Sequence, residues 1–274
     1  MKPFTVALAP ITIKYADPAA NRRTILAAIN KAAKAGANIV CLPEYCVSGY
    51  SYGRDEKKSV TFAEKFDGNP FISKLHKISK ERDIDIAIGM LEKRGDKIHN
   101  SALYIANGKT VHVHRKIHEG GPVTPGEKVE TFKTRFGRAA IIICGDLFDK
   151  KVIGQIKEIK PDFVLMPMDR NLHPLALCAT YKEKCNYECN AEKKAVCYKK
   201  KFRTFKEAWE ARHRAEYNAE IKKYGVETFV VNGLSAGGHN LGCGGAMHIG
   251  GDGELLAEIP YGKTGVLPVL AKGK

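Results

Sequence analysis

The sequence predicts either an α/β domain or a layered α+β sandwich. Its 274 residues are 44% hydrophobic, which is enough for one large domain with a substantial core. Apolar strand-like runs alternate with segments of helical periodicity, and hairpin turns separate several of the strands. We find no internal repeat and no linker, so we expect a single domain over residues 1–274, although the length alone would also permit two small domains.

The first half of the chain begins with the apolar run TVALAPITI, which predicts a strand. Asp17 and Pro18 follow as a helix N-cap and first helical position, and Gly36 ends that predicted helix. The next predicted elements are a buried strand in NIVCLPE, a helix over residues 70–82, a strand in IDIAIGML, and two strands that turn at Asn107-Gly108 in SALYIANGKTVHVHRK.

The second half continues the alternation. Its predicted elements are a strand in RAAIIIC, a short helix near residues 151–158, a strand in DFVLMP, a long charged helix over residues 203–223, a strand in VETFVVN, and a closing hairpin that turns at Asp252-Gly253.

The composition limits the classes of partner. The chain carries 45 Lys and Arg against 30 Asp and Glu, a formal net charge of +15. This charge suits an anionic substrate or a nucleic acid, but the lysines are scattered and no nucleic-acid-binding motif is present, so a lysine-rich solvated surface and no nucleic-acid partner are expected. No apolar run reaches 18 residues and no export leader is evident, which predicts a cytoplasmic protein without membrane contact and with reduced cysteines.

Three predicted strands end on chemically useful residues, namely Glu44, Lys116 and Cys144. A thiolate is a nucleophile whose pKa a nearby cation lowers, a carboxylate can move the proton of the thiol, and an ammonium can face an oxyanion. Together they make a complete acyl-transfer site. From spacing alone, Glu44 and Lys116 can equally be an ordinary ion pair, and Cys144 a small core residue.

Four motifs then carry a resemblance. LPEYCVSGY contains Glu44, HRKIHEGGPVTPG contains Lys116, CGD contains Cys144 with Asp146, and VVNG precedes a Gly-Gly hairpin near the end of the chain. In this order they resemble the nitrilase superfamily of carbon–nitrogen hydrolases, over nearly the whole chain. The resemblance implies a Glu-Lys-Cys triad, a four-layer α-β-β-α sandwich, and a homodimer or larger homo-oligomer.

The resemblance also assigns residues around the triad. It implies a second carboxylate in the loop after Lys116, where Glu119 occupies the expected position and Glu127 is the alternative. It implies an oxyanion hole made by Lys116 and the N–H of Gly145, the glycine that would let the chain turn tightly. The predicted substrate-binding residues are Tyr50, Gly145, Asp169, Arg170 and Asn171, and Arg170 can pair with a substrate carboxylate or lie at the surface.

A segment at about residues 174–201 reads as a basic, cysteine-rich insertion. Its cysteines, Cys178, Cys185, Cys189 and Cys197, lack the tight pair that zinc sites usually show, so no metal and no cofactor are expected. A structural metal and a redox disulfide remain open. His239 lies near the site by family analogy, but an ordinary loop histidine is the favoured interpretation.

The functional hypothesis is a thiol amidohydrolase that cleaves a non-peptide C–N bond of a small amide or N-carbamoyl compound through a cysteine thioester. A true nitrilase is the alternative. A basic interaction module with a vestigial site is a third possibility, against which the intact triad argues.

Overall fold

The computed structural model describes residues 3–51, 55–170, 214–236 and 242–272. The strands are β1 Phe4–Leu8, β2 Thr12–Lys14, β3 Ile39–Cys41, β4 Asp85–Arg94, β5 Lys97–Ala106, β6 Lys109–Arg115, β7 Thr131–Thr134, β8 Gly137–Ile141, β9 Phe163–Met168, β10 Thr228–Asn232, β11 Leu234–Ala236, β12 Ala246–Ile249, β13 Leu255–Ile259 and β14 Leu267–Ala271. The helices are α1 Pro18–Lys34, α2 Glu56–Ser59, α3 Pro70–Glu81, α4 Lys150–Ile159 and α5 Arg214–Tyr224, with short 3₁₀ helices at Val60–Phe62 and Cys144–Phe148.

Two six-stranded sheets share one pattern of strand direction. Sheet 1 has the order β14-β1-β3-β4-β5-β6, and sheet 2 has the order β13-β12-β10-β9-β8-β7. Each sheet has three neighbouring parallel strands, β1, β3 and β4 in sheet 1 and β8, β9 and β10 in sheet 2, flanked by antiparallel strands. Ligand-binding and catalytic residues often follow the carboxyl ends of such parallel strands.

Two apolar clusters hold four layers together. One cluster joins sheet 1 to sheet 2 and extends beneath α4 and α5, with Leu8, Leu165 and Ile156 among its fully buried members. The other lies between the outer face of sheet 1 and helices α1 and α3, where Ile29 and Leu75 are fully buried. Helices therefore cover both outer faces, which confirms the predicted α-β-β-α sandwich.

The helices begin where the sequence places capping residues. The Asp17 side chain accepts a hydrogen bond from the N–H of Ala20 at 3.0 Å and caps α1, with Pro18 at its first position. The Asn69 side chain caps α3 in the same way by accepting from the N–H groups of Phe71 and Ile72. Both helices run close to their predicted ranges.

Several predicted boundaries differ from the structure. The strand predicted through Cys144 ends at Ile141, and the one predicted to Glu44 ends at Cys41. Successive side chains of a pleated strand point to opposite faces of the sheet. The residues that follow Cys41 and Ile141 instead have an irregular backbone, which directs Glu44 and Cys144 into the site. Of the helix predicted over residues 203–223, the described part is α5; the rest, like the insertion at about 174–201, lies outside the described residues.

Candidate active site

Three loops at the carboxyl ends of strands bring Glu44, Lys116 and Cys144 together. Glu44 follows β3, Lys116 directly follows β6, and Cys144 opens the short 3₁₀ helix after β8. Their exposed fractions are 0%, 5% and 9%, so all three groups are almost fully removed from water. Ionisable groups are buried in this way only when they are paired or functional, because desolvation is costly.

Both carboxylate oxygens of Glu44 are held in place. Oε1 accepts hydrogen bonds from Lys116 Nζ at 3.0 Å and from Asn100 Nδ2 at 2.6 Å. Oε2 accepts one from the backbone N–H of Asp169 at 2.7 Å. A Cβ on Gly89 of β4 would lie 2.5 Å from the Glu44 Cα, so only glycine permits this close approach of β4 to the Glu44 loop.

The Lys116 ammonium lies between two carboxylates. Its Nζ is 3.0 Å from Glu44 Oε1 and 3.2 Å from Glu119 Oε2. Burial alone would lower the pKa of Lys116, but the negative charges of Glu44 and Glu119 act against burial and raise the pKa above its ordinary value. Lys116 therefore stays charged and is suited to stabilise a developing oxyanion rather than to act as a base.

Glu119 takes the position predicted for the second carboxylate. Its Oε2 accepts hydrogen bonds from Tyr45 Oη at 3.1 Å and from Asn100 Nδ2 at 2.9 Å, in addition to the contact with Lys116. Glu127, the alternative, is exposed. The catalytic role of Glu119 stays a prediction.

Asn100 was missed by the sequence analysis. Its side-chain amide donates to both Glu44 and Glu119, and its backbone carbonyl accepts from the N–H of Lys116 at 2.8 Å. It lies in β5 beside the Lys116 loop, and an asparagine that precedes the apolar run of a strand is the signal that points to it.

Tyr50 is buried within the protein. Its ring stacks on Tyr45 with 4.7 Å between ring centroids, and only 2% of the residue is exposed. Burial raises the pKa of Tyr50, and the negative charges of Glu56 and Glu119 add to this, so its hydroxyl stays neutral. Its role in substrate binding stays a prediction.

The pKa of Cys144 differs from the sequence-based expectation. A lowered pKa was expected beside a cation, but burial and the Glu44 charge raise the pKa of the thiol above its ordinary value, and Lys116 and Arg170 offset only part of this. The thiol is therefore protonated at neutral pH, so it would need a base to become a nucleophile. Glu44 is the carboxylate whose charge acts most strongly on the thiol.

The backbone at Cys144 and Gly145 also differs from the expectation. The left-handed conformation of the turn falls on Cys144, with φ of +45°, and not on Gly145. Such a conformation is strained for a residue with a side chain, and it re-aims the side chain after the strand ends. A Cβ on Gly145 would lie 2.9 Å from the His118 ring, so any other residue there would require this exposed side chain to shift.

Asp146 joins the Lys116 loop to the Cys144 loop. Its Oδ1 accepts the backbone N–H groups of Ile117 at 2.9 Å and His118 at 2.8 Å. Its Oδ2 accepts the N–H of Ile143 at 3.0 Å and contacts His114 Nε2 at 2.9 Å. Asp146 was predicted only as part of the CGD motif, and these hydrogen bonds show that it joins the two loops.

Asp169 and Arg170 follow β9 at the other wall of the site. The Asp169 N–H bonds Glu44, and the Arg170 N–H donates to Asn232 Oδ1 at 2.7 Å. Asn232 itself ends β10 and donates to Cys243 Sγ. The end of β9 is therefore fixed against both the Glu44 carboxylate and the next parallel strand.

Some predicted residues lie outside the described part of the chain, namely Asn171, His239 and the four insertion cysteines. Within the described ranges, no group of three or more His, Cys, Asp or Glu side chains could hold a metal ion. None of the described helices is long and apolar enough to cross a membrane.

Comparisons with known proteins agree with this geometry. The profile of the family described as carbon-nitrogen hydrolase matches residues 5–154, which include all three triad positions. The chain is 28% identical to a nitrilase of Pyrococcus abyssi, over 52% of this chain and 56% of that protein. It is 32% identical to an omega-amidase of Mus musculus, over 43% of this chain and 47% of that protein. The match thus spans about half the length of these relatives.

The fold also matches a solved structure. An amidase from Nesterenkonia sp. AN1 superimposes with a TM-score of 0.73 at 16% identity, over 97% of this chain and 92% of that one. At this identity the likeness shows the fold alone. The family is shown by the profile, which covers more than half of the sequence. The chain belongs to the carbon-nitrogen hydrolase family.

Proposed function

We propose that this chain is a thiol amidohydrolase that cleaves the C–N bond of a small non-peptide amide. The observation that carries the proposal is the buried pair of Glu44 and Lys116, 3.0 Å apart, whose charges both act on the Cys144 thiol. A carboxylate, an ammonium and a thiol in one desolvated site can supply a base, an oxyanion partner and a nucleophile. Membership of the family supports the same reaction class.

The first half-reaction forms a thioester. Cys144 Sγ attacks the amide carbonyl carbon while Glu44 takes the thiol proton, and the C=O becomes an oxyanion that faces the Lys116 ammonium. The C–N bond then breaks as Glu44 returns the proton to the nitrogen. Ammonia or an amine leaves, and the acyl group stays on sulfur.

The second half-reaction releases the acid. Glu44 takes a proton from water, and the resulting hydroxide adds to the thioester carbon. The C–S bond breaks, and the thiol of Cys144 is restored with the proton from Glu44. Because Glu119 holds the other side of Lys116, the ammonium stays in place through both halves.

Two finer alternatives belong to the same chemistry. An N-carbamoyl compound presents the same kind of carbonyl to the thiol, and a nitrile would be attacked at carbon by the same nucleophile. The relative from Pyrococcus abyssi is named a nitrilase and the one from Mus musculus an omega-amidase. A cytoplasmic location, a homo-oligomeric state and one domain with an insertion at about residues 174–201 stay predictions.

The test is a panel of small amides, N-carbamoyl compounds and nitriles, read by ammonia release from the purified chain. The proposal expects turnover of amides, with nitriles slower. Absence of ammonia from every class would overturn it. A salt titration of nucleic-acid binding addresses the interaction-module alternative, since phosphate contacts produce a steep loss of affinity as salt rises.

A further inference from the structure

Two successive residues, Glu44 and Tyr45, act on the Lys116 ammonium. Glu44 does so directly, since its Oε1 is 3.0 Å from Lys116 Nζ. The Tyr45 hydroxyl donates to Glu119 Oε2 at 3.1 Å, and the same oxygen is 3.2 Å from Lys116 Nζ. The loop after β3 therefore holds this ammonium twice, through Glu44 itself and through the contact of Tyr45 with Glu119.

The backbone of Tyr45 makes this convergence possible. Successive side chains of an extended chain point in opposite directions, so two neighbours would not reach one ammonium. Residues 44–48 instead form a turn, and Tyr45 has a left-handed conformation with φ of +50°. A residue with a side chain keeps such a conformation only where its surroundings impose it, and this kind of strain clusters at functional sites. The strain indicates that the direction of the Tyr45 side chain matters.

The Tyr45 ring is packed so that its hydroxyl has little freedom. The residue is fully buried, and its ring stacks on Tyr50 with 4.7 Å between centroids and 19° between planes. The two rings belong to a small apolar cluster of their own, together with Leu91 and with Val123, which lies in the same loop as Glu119. This cluster holds the hydroxyl against the loop that carries Glu119.

The Glu119 carboxylate depends on few donors for its direction. Its Oε2 accepts from Tyr45, from Asn100 Nδ2 at 2.9 Å and from Lys116. Among the described residues, its Oε1 receives only a long hydrogen bond of 3.4 Å from the N–H of Gly120. Because Lys116 is itself the group to be placed, Tyr45 and Asn100 are the donors that set the direction of this carboxylate.

We propose that Tyr45 is a positioning residue, which acts through Glu119 to fix the Lys116 ammonium at the place where the oxyanion forms. This deepens the proposed function and rests on it, since that reaction supplies the oxyanion. A small displacement of a catalytic group lowers the rate strongly, because the alignment with the substrate is lost. The competing interpretation is that the hydroxyl only satisfies a buried phenol, in which case its removal would affect stability and not rate.

Steady-state kinetics on Tyr45→Phe, which removes one atom and adds none, separates these two roles. We expect kcat for the best amide of the panel to fall about 10-fold while KM stays within about 2-fold, because the lost hydrogen bond is to a charged group and acts on the reaction step. Tyr104→Phe is the matched control, since the Tyr104 hydroxyl donates to the buried carboxylate of Asp85 at 2.7 Å, at the amino end of β4 and away from the site. An unchanged kcat, a change confined to KM, or equal losses of kcat in the two variants would overturn the proposal.

A second experiment detects the Lys116 charge without turnover. Iodoacetamide alkylates the thiolate form of Cys144, and the charge of Lys116 lowers the pKa of that thiol. At one fixed pH, we expect alkylation of the Cys144 peptide to be about 3-fold slower or more in Tyr45→Phe, because a displaced ammonium stabilises the thiolate less. The rate in Tyr104→Phe should match that of the wild type.

The same alkylation assay tests the route through Glu119. In Glu119→Ala the acceptor of the hydroxyl is missing, so Glu119→Ala and Tyr45→Phe/Glu119→Ala should react at equal rates. A rate that is not slowed in Tyr45→Phe, or that is slowed as much when Glu119 is absent, would overturn the proposal. Slower alkylation that requires Glu119, in a chain that releases no ammonia from any amide, would instead leave the placement of Lys116 by Tyr45 standing and remove the proposed amidase activity.

Discussion

The carboxylate of Asp146 accepts the backbone N–H of His118 at 2.8 Å, across two loops that follow different strands. His118 is two residues from Lys116, and Asp146 is two residues from Cys144. The buried Asp146 side chain therefore links the loop that carries Lys116 to the loop that carries Cys144. A group that acts in this way positions the reaction rather than takes part in it.

Asp146→Asn tests this tether. The amide keeps the size of the carboxylate, but its NH₂ group would face either the N–H of Ile143 or the N–H groups of Ile117 and His118. We expect a loss of about 1–3 kcal/mol in the free energy of unfolding, since a buried donor is left unpaired. We also expect a lower kcat, measured by ammonia release. Asp162→Asn is the control, because Asp162 accepts the Arg138 N–H at the surface. Equal effects of the two substitutions would refute the tether.

Lys116→Ala should reduce kcat by about 100-fold or more, as expected when an oxyanion donor is removed. It also leaves the Glu44 and Glu119 carboxylates without the cation between them. Lys116→Arg should not restore the rate, because the guanidinium is larger and planar. Steady-state kinetics with the best amide of the panel measures both variants. A near-normal rate in either would mean that Lys116 has only a structural role.

Glu119→Gln should lower kcat while the fold is kept. The substitution removes one of the two charges that hold the Lys116 ammonium, so we expect a loss of about 10-fold or more, in the range of other misplaced catalytic groups. The same substitution at Glu127, which is exposed in the same loop, should leave kcat close to that of the wild type. The reverse result would identify Glu127 as the second carboxylate. Thermal unfolding of both variants separates activity from stability.

Glu44→Gln should lower the pKa of the Cys144 thiol while it abolishes turnover. In the wild type, burial and the Glu44 charge raise that pKa, and Lys116 and Arg170 lower it. Loss of the negative charge removes one of the two causes that raise the pKa of the thiol, so the thiol deprotonates at lower pH. The rate of iodoacetamide alkylation against pH, followed by mass on the Cys144 peptide alone, gives the midpoint. A midpoint unchanged or shifted upward would contradict this electrostatic account.

The sequence predicts the layered fold and the proximity of Glu44 and Lys116. The apolar runs, the Asp17 cap and the Asn107-Gly108 turn act locally, so pattern alone predicts their elements. The triad residues were identified from motifs, because their spacing alone also allowed Glu44 and Lys116 to form an ordinary ion pair.

What the sequence could not predict depends on distant contacts. The role of Asn100 needs two carboxylates, 56 and 19 residues away along the chain, to meet its amide. The raised pKa of Cys144 follows from burial that no local pattern encodes. The strain at Cys144 and the close His118 ring at Gly145 are likewise set by tertiary packing.

The most direct test of the central claim, that Cys144 is the nucleophile, is ammonia release by Cys144→Ala from the best amide of the panel. The account predicts no turnover above the uncatalysed rate, with thermal unfolding like that of the wild type. Cys41→Ala is the control, because Cys41 is fully buried in the core between the sheets, and this variant should keep its activity. Wild-type-like turnover by Cys144→Ala would contradict the account, since no thioester could then form at that position.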